Sequence, residues 1–225
     1  MAGETVKCNA ICLAINPWSQ TSHVVHWLAP HGTVGTIVKG AVRPKSAFLG
    51  QYDLNYTCEI VYYARAKGEL HPLRESTPLA LREELRANYR ALALAGYYRH
   101  LTEKLAPCGP DAADWFALLE HSLDMLLAAR SFTPGDYLRQ MLTFELEALH
   151  RFGLAPEIEA EAGEFVLRGE RKMLVKAPVA QCLLNPAAEN NFEILLDAAR
   201  VIGVFYTFHT GEGLETRRSV QRMIL

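Results

Sequence analysis

The spacing of apolar residues changes once along the chain, near residue 78: before it they alternate with polar ones, and after it they recur every three or four positions. Thr5 to Ile15 is rich in β-formers. Val6, Cys8, Ala10, Cys12 and Ala14 share one strand face, and Lys7, Asn9, Ile11, Leu13 and Ile15 share the other. Asn16-Pro17-Trp18-Ser19 reads as a turn, His23 to Leu28 as the strand pairing back, and Pro30-His31-Gly32 as the next turn. In a third strand Val34, Thr36 and Val38 alternate with Gly35, Ile37 and Lys39. Gln51 to Tyr63 is predicted as a long fourth strand, with Tyr52, Leu54, Tyr56, Cys58, Ile60 and Tyr62 on one face and Asp53, Asn55, Thr57 and Glu59 on the other. After an Ala64–Gly68 turn, Glu69 to Ser76 forms a short fifth strand. Five strands in about seventy residues fit an OB-type barrel.

From Pro78 the pattern is helical, through Leu81, Leu85, Tyr89, Leu92 and Gly96 to about Leu105, and Ala106-Pro107-Cys108-Gly109-Pro110 breaks it. Asp111 to Ala129 carries a broad apolar face of Trp115, Leu118, Leu119, Leu123, Leu126 and Leu127. Thr133-Pro134-Gly135-Asp136 supplies a hydroxyl cap, a proline at the first helical position and a carboxylate at the third, opening a helix that Gly153 stops. Ala155 to Ala180 is acidic and then mixed, with short strands expected at Phe165–Leu167 and Met173–Val175. Asn185-Pro186 is expected to begin a last helix through Phe192, Leu195, Leu196, Ala199 and Ile202. The fold class is therefore α+β. An N-terminal OB-fold barrel occupies 1–77, and a mostly helical domain occupies 78–225 with a small irregular or β insertion near 155–182.

The 225 residues are half hydrophobic, enough for two small cores, and their formal net charge of -2 gives a pI near 6.4. That near-neutral total hides a one-sign region. Thr5 through Tyr52 contains no Asp or Glu but includes Lys7, Lys39, Arg43 and Lys45, with His23, His26 and His31 able to add charge in mild acid. Lys39, Arg43 and Lys45, joined by Pro44 and Ser46 after Gly40, present cations, a stiffened φ and a hydroxyl in the manner of a phosphate-holding loop. Trp18, Trp27, Phe48, Tyr52 and Tyr56 are the rings on which bases of a single strand can stack, each equally able to be core. A second basic group, Arg217, Arg218 and Arg222, closes the sequence.

Several classes lack their signatures. The start has no signal-peptide pattern and no segment reaches about 18 uncharged apolar residues, so a soluble cytoplasmic protein is expected. Cys8, Cys12, Cys58, Cys108 and Cys182 are odd in number and scattered, and Cys8 and Cys12 lie about 13 Å apart along a strand, too far for one ion. Neither disulfide nor metal site follows, and no cofactor is expected. No nucleophile elbow, Walker loop, H-E-x-x-H or dinucleotide fingerprint occurs. Glu83-Glu84 and Glu145/Glu147 point to different helix faces and read as surface charge, while His121 with Asp124, or His23 with His26, has no further metal partner by spacing. An enzyme is not expected.

H-G-T-V-G-T-I-V-K-G-A-V-R-P-K-S (31–46) resembles, in spacing and residue type, the H-G-x-x-x-x-V-x-K-G-A-R-R-P-K-S stretch of the bacterial recombination mediator family RecO. Leu70-His71-Pro72-Leu73-Arg74-Glu75 matches its L-x-x-L-x-E. Phe144-Glu145-Leu146 and Phe152-Gly153-Leu154-Ala155-Pro156 are similar to its F-E-L and L-G-Y-A-P, and Phe208-His209-Thr210-Gly211 with Leu214 to Arg218 resembles its C-terminal end. The resemblance implies an OB-fold followed by a helical domain that binds single- and double-stranded DNA, anneals strands, contacts single-strand-binding protein and helps RecR load RecA, near the nucleoid and without catalysis. By motif, Lys39, Arg43, Lys45 and Ser46 are the implied DNA contacts. The family's four-cysteine zinc site has no counterpart in Ala155–Ala180, and Leu142-Thr143 stand where basic residues often precede F-E-L. For the acidic, hydrophobic tail of single-strand-binding protein, Leu138, Met141, Leu142 and Leu146 offer apolar surface, with Arg139 or Arg130 as the rim cation, although packing in the core is the commoner role for most leucines so spaced. An OB-fold module for RNA stays open beside this reading, since a barrel and a basic loop do not distinguish the two nucleic acids.

Overall fold

In a computed structural model, residues 4–66, 68–107, 109, 111–161, 164–168, 173–210 and 215–225 are described. They form two compact units, 1–83 with 99–124, and 84–98 with 125–225.

The first unit is built on a barrel of five strands: β1 (Glu4–Ser19), β2 (Ser22–Ala29), β3 (Gly32–Val38), β4 (Thr57–Ala64) and β5 (Leu70–Ala80). Their order is β1-β2-β3-β5-β4 with β4 closing on β1, and every pairing is antiparallel except β3 with β5. That parallel contact explains Gly35. A Cβ there would lie 2.9 Å from Leu70 Cδ2 and 3.0 Å from the Glu69 carbonyl oxygen, so the strands meet only because the position is bare. Val25, Trp27, Val34, Val38, Cys58, Ile60 and Tyr62 fill the barrel, and Thr36 is buried among them because the Trp27 indole donates to its hydroxyl at 2.8 Å.

Three strand boundaries differ from the sequence reading. β1 runs through Asn16–Ser19, and the turn falls at Gln20-Thr21. A bulge at Leu13, between the pairs Cys12–Trp27 and Ala14–His26, reverses the alternation, so Ile15 rather than Ala14 packs on the core. The fourth strand begins only at Thr57. Asn55 takes a left-handed φ of 69°, and the preceding loop brings Tyr52 and Tyr56 into the core while Leu54 stays exposed. Finally, β5 continues through Pro78, because a register irregularity between Thr57 and Cys58 lets a residue without an N–H sit in the ladder. Lys67, part of the expected Ala64–Gly68 turn, lies outside the described residues.

Arg82, also left-handed at φ 49° and nearly buried, ties this end of the unit together. Its guanidinium donates to the Asn55 carbonyl (2.9 Å), Thr57 Oγ1 (2.9 Å) and Asp124 Oδ1 (2.6 Å). No sequence signal distinguishes it from any other arginine.

Helix α1 (Tyr89–Leu105) starts eleven residues after the predicted Pro78, behind a short 3-10 turn at Glu83–Ala87. α2 (Ala112–Met125) buries Trp115, Leu118, Leu119 and Leu123 as its spacing requires. α3 (Pro134–Arg151) has the expected capping box: Thr133 Oγ1 accepts from the Asp136 backbone N–H (3.2 Å) and Asp136 Oδ2 accepts from that of Thr133 (2.8 Å). Gly153, at φ 77°, follows its end. β6 (Glu157–Glu161), β7 (Glu164–Arg168) and β8 (Met173–Val175) form a three-stranded antiparallel sheet. The last helix does not begin at Asn185-Pro186. A separate α4 (Ala177–Leu184) precedes it, Pro186 opens one 3-10 turn, and Asn191 Oδ1 caps α5 (Phe192–Thr210) by accepting from Glu193 and Ile194. Cys108, Pro110 and Gly211–Leu214 of the quoted stretches lie outside the described residues.

The second basic group lies on helix α6 (Glu215–Ile224), with Arg217, Val220 and Ile224 buried. Arg217 Nε and Nη2 donate to Glu145 Oε1 (2.6 Å) and Oε2 (2.9 Å), and the Tyr97 hydroxyl donates to the same carboxylate at 2.6 Å. The sequence reading of Glu145 as surface charge is therefore corrected: it is 0% exposed, whereas Glu147 is exposed and pairs with Arg151. Burial works against the Arg217 charge, but the Glu145 carboxylate outweighs it and raises the guanidinium pKa further; burial and Glu145 together hold Tyr97 neutral.

Candidate nucleic-acid interface

β3 ends at Val38 and the chain leaves the barrel through Lys39-Gly40-Ala41-Val42-Arg43-Pro44-Lys45-Ser46. Gly40 sits at φ 68°, and the Arg43 side chain lies across it; an added Cβ would stand 3.2 Å from Arg43 Cδ. Backbone bonds fold the segment into successive turns, Arg43 N to the Gly40 carbonyl (3.2 Å) and Ser46 N to that of Arg43 (2.9 Å). Two bonds fasten it to the β1–β2 hairpin: Gly40 N donates to Ser22 Oγ (3.3 Å) and Val42 N to the Thr21 carbonyl (3.3 Å). Beyond it, Phe48 packs on the barrel core and Tyr52 lies within it.

This anchoring leaves the cations outside. Lys39, Arg43 and Lys45 are all exposed, and among the described residues no carboxylate lies within ion-pair distance of any of them. Ser46 differs. It is half-buried, and its hydroxyl accepts from the Phe48 backbone at 3.2 Å, so its first role is to shape the loop. Lys7, the other cation of the acid-free stretch, is already paired with Glu59 of β4 at 2.8 Å. The three histidines also have partners: His23 Nδ1 is 2.9 Å from the Tyr52 hydroxyl, His26 Nδ1 2.7 Å from Glu103, and His31 Nε2 3.2 Å from the Tyr62 hydroxyl. What remains open is a point-charge array of two lysines and an arginine on a pinned loop, suited to phosphates rather than to a shaped small molecule.

The candidate rings separate by burial. Trp27, Tyr52 and Tyr56 belong to the core, Phe48 is half-buried against it, and Trp18 is 62% exposed.

Of the two roles open to the α3 leucines, groove and packing core, the structure gives core. Leu138, Met141 and Leu142 are fully buried, because their spacing faces the core of their unit, and Leu146 is half-buried. Arg139 is engaged by Asp136 Oδ1 (2.6 Å), the Glu189 carbonyl (2.8 Å) and Asn190 Oδ1 (3.0 Å). Of that set only Arg130 is an exposed side chain.

The described cysteines, Cys8, Cys12, Cys58 and Cys182, belong to no group arranged to hold an ion. Burial raises the thiol pKa values of Cys8, Cys58 and Cys182 to about 11 and that of Cys12 well above the ordinary range, which keeps these thiols protonated near neutral pH. Cys182 is the single cysteine between residues 155 and 182, and among the described residues no group of three His, Cys, Asp or Glu is arranged for an ion. No described helix is long and apolar enough to cross a membrane.

Residues 86–184 match the family model described as Recombination protein O C terminal, a span running from just before α1 to the end of α4. No curated protein matches the chain.

Proposed function

We propose, from the premise that this chain belongs to the recombination protein O family and acts in DNA recombination and repair, that it works by binding alone: it holds single-stranded DNA on the barrel loop and brings complementary strands together. The observation carrying this reading is the pinned loop with Lys39, Arg43 and Lys45 exposed and unpaired in a stretch without acids. Phosphate contacts of this kind carry affinity without base identity, so sequence preference is weak and binding falls steeply with salt. Neutralising about three phosphates of a single strand gives a log–log slope of roughly -2.

Family membership extends the reading to contacts with RecR and single-strand-binding protein and to RecA loading on coated DNA. The acidic tail of single-strand-binding protein needs an exposed cation. Arg130 remains available for it, whereas Leu138 and Leu142 do not supply its apolar floor. None of these roles calls for bond chemistry.

The deciding experiment is whether the pure protein speeds annealing of complementary DNA strands already coated with single-strand-binding protein. Acceleration is expected, and a protein that binds RNA in preference and leaves the coated strands unannealed would be an RNA module instead.

A further inference from the structure

We propose that Trp18 is the base-stacking residue of this interface: its exposed indole receives a base from a single DNA strand whose phosphates follow Lys39, Arg43 and Lys45. The inference rests on the DNA-binding reading above and adds a contact that is not electrostatic.

Position selects Trp18. Near the tip of the β1–β2 hairpin, Pro17 pairs with His23 and Ser19 with Ser22. The two bonds that fasten the basic loop, from Gly40 to Ser22 Oγ and from Val42 to the Thr21 carbonyl, land on that same tip. His23 in turn pairs with Val38, the last residue before Lys39, so indole-bearing strand and loop exit are two strand spacings apart, about 10 Å. A single exposed apolar residue is ordinary on a protein surface; an exposed indole beside an unpaired cation array is what a sequence-tolerant single-strand site requires, because every base has a π-face.

Competing rings are occupied. Trp27 and Tyr52 meet edge to face inside the barrel at 6.0 Å, and Tyr56 is buried with its hydroxyl donating to Glu83 at 2.8 Å. Tyr63 is exposed on β4, but the Arg74 guanidinium lies over its ring at 6.0 Å.

The protein carries its own reporter. It has three tryptophans, and Trp27 and Trp115 are 0% and 1% exposed, so the single solvent-exposed indole is Trp18. Titration with oligo-dT is expected to quench tryptophan emission in the native protein and to leave it unquenched in Trp18→Phe, which keeps an aromatic face and binds within about threefold of native. Trp18→Ala is expected to bind labelled oligo-dT about tenfold more weakly with an unchanged salt slope, since the phosphate contacts are intact. If native emission is not quenched and Trp18→Ala binds as well as native, while reversing the three loop charges abolishes binding, stacking on Trp18 is wrong and the DNA reading stands. If the native protein does not bind oligo-dT, or the loop reversal leaves binding intact, the reading beneath falls and this inference falls with it.

Discussion

Two sets of basic residues behave in opposite ways. On the barrel loop, Lys39, Arg43 and Lys45 are exposed and unpaired, while in the helical unit Arg217 is 6% exposed and clasped in two-point contact by a fully buried carboxylate. Read as sequence, both are short cationic runs. Ions removed from water incur several kcal/mol each, which only tight geometry and full hydrogen bonding offset, so Arg217 and Glu145 with Tyr97 are committed to each other. Cations left in water have no such partner and are free for a ligand's phosphates. Exposure and pairing, rather than the number of positive residues, decide which cations can serve a polyanion.

The largest effect should come from breaking the buried pair. Glu145→Ala or Arg217→Ala leaves one charge uncompensated in the interior, an expected loss of about 3–5 kcal/mol in urea unfolding. The double variant should lose much less than the sum, because the second change removes the stranded charge. Losses below about 1 kcal/mol in both single variants would mean that water reaches the pair, and the contrast with the loop would collapse.

Reversing the loop charges with Lys39→Glu, Arg43→Glu and Lys45→Glu in one protein should do the opposite. Stability is expected to change by only about 0.5 kcal/mol per site, while affinity for single-stranded DNA drops more than a hundredfold if each reversal costs about 1 kcal/mol. The control for diffuse charge is Arg218→Glu with Arg222→Glu, both exposed on α6; Arg217 is excluded, since reversing it would put two carboxylates together in the core. Equal loss of binding in the control, with both proteins folded, would assign the site to the whole basic surface.

The parts legible in the sequence were those fixed by local chemistry. The alternation of Val34, Thr36 and Val38, the Thr133–Asp136 box and the Gly153 stop need only neighbouring residues, and all three hold. What was misread depends on distant pairing. The Leu13 bulge is defined by β2, the late start of the fourth strand by Asn55 held from Arg82, and the burial of Glu145 by Arg217, seventy-two residues away. Leu138 and Leu142 show the same limit from the other side, since an apolar helical face reads identically whether it is a groove or a core.

The α3 capping box lies between the two extremes: a local, partly exposed polar contact that serves the fold. Thr133→Ala removes the hydroxyl that accepts from Asp136 N and should cost about 1 kcal/mol in thermal or urea unfolding. A larger loss than from Glu145→Ala would invert the ranking drawn from burial.

The smallest effect is a pH dependence at the same cap. The Thr133 hydroxyl and backbone N–H, with Arg139 adding its charge, hold the Asp136 carboxyl below its ordinary pKa. A carboxyl depressed in the folded state stabilises fully above its unfolded pKa of about 3.9, and that contribution fades as pH falls through the lower folded value. The side chain is partly open to solvent, so screening keeps the contribution on the order of 0.5 kcal/mol. Asp136→Asn should therefore lose a constant, small amount of stability relative to native from about pH 5 to 8, and the gap should narrow in more acid solution as the native carboxyl takes up its proton. A gap that widened in acid would require the folded carboxyl to be raised instead, and the hydrogen bonds from Thr133 could not then be those that set it.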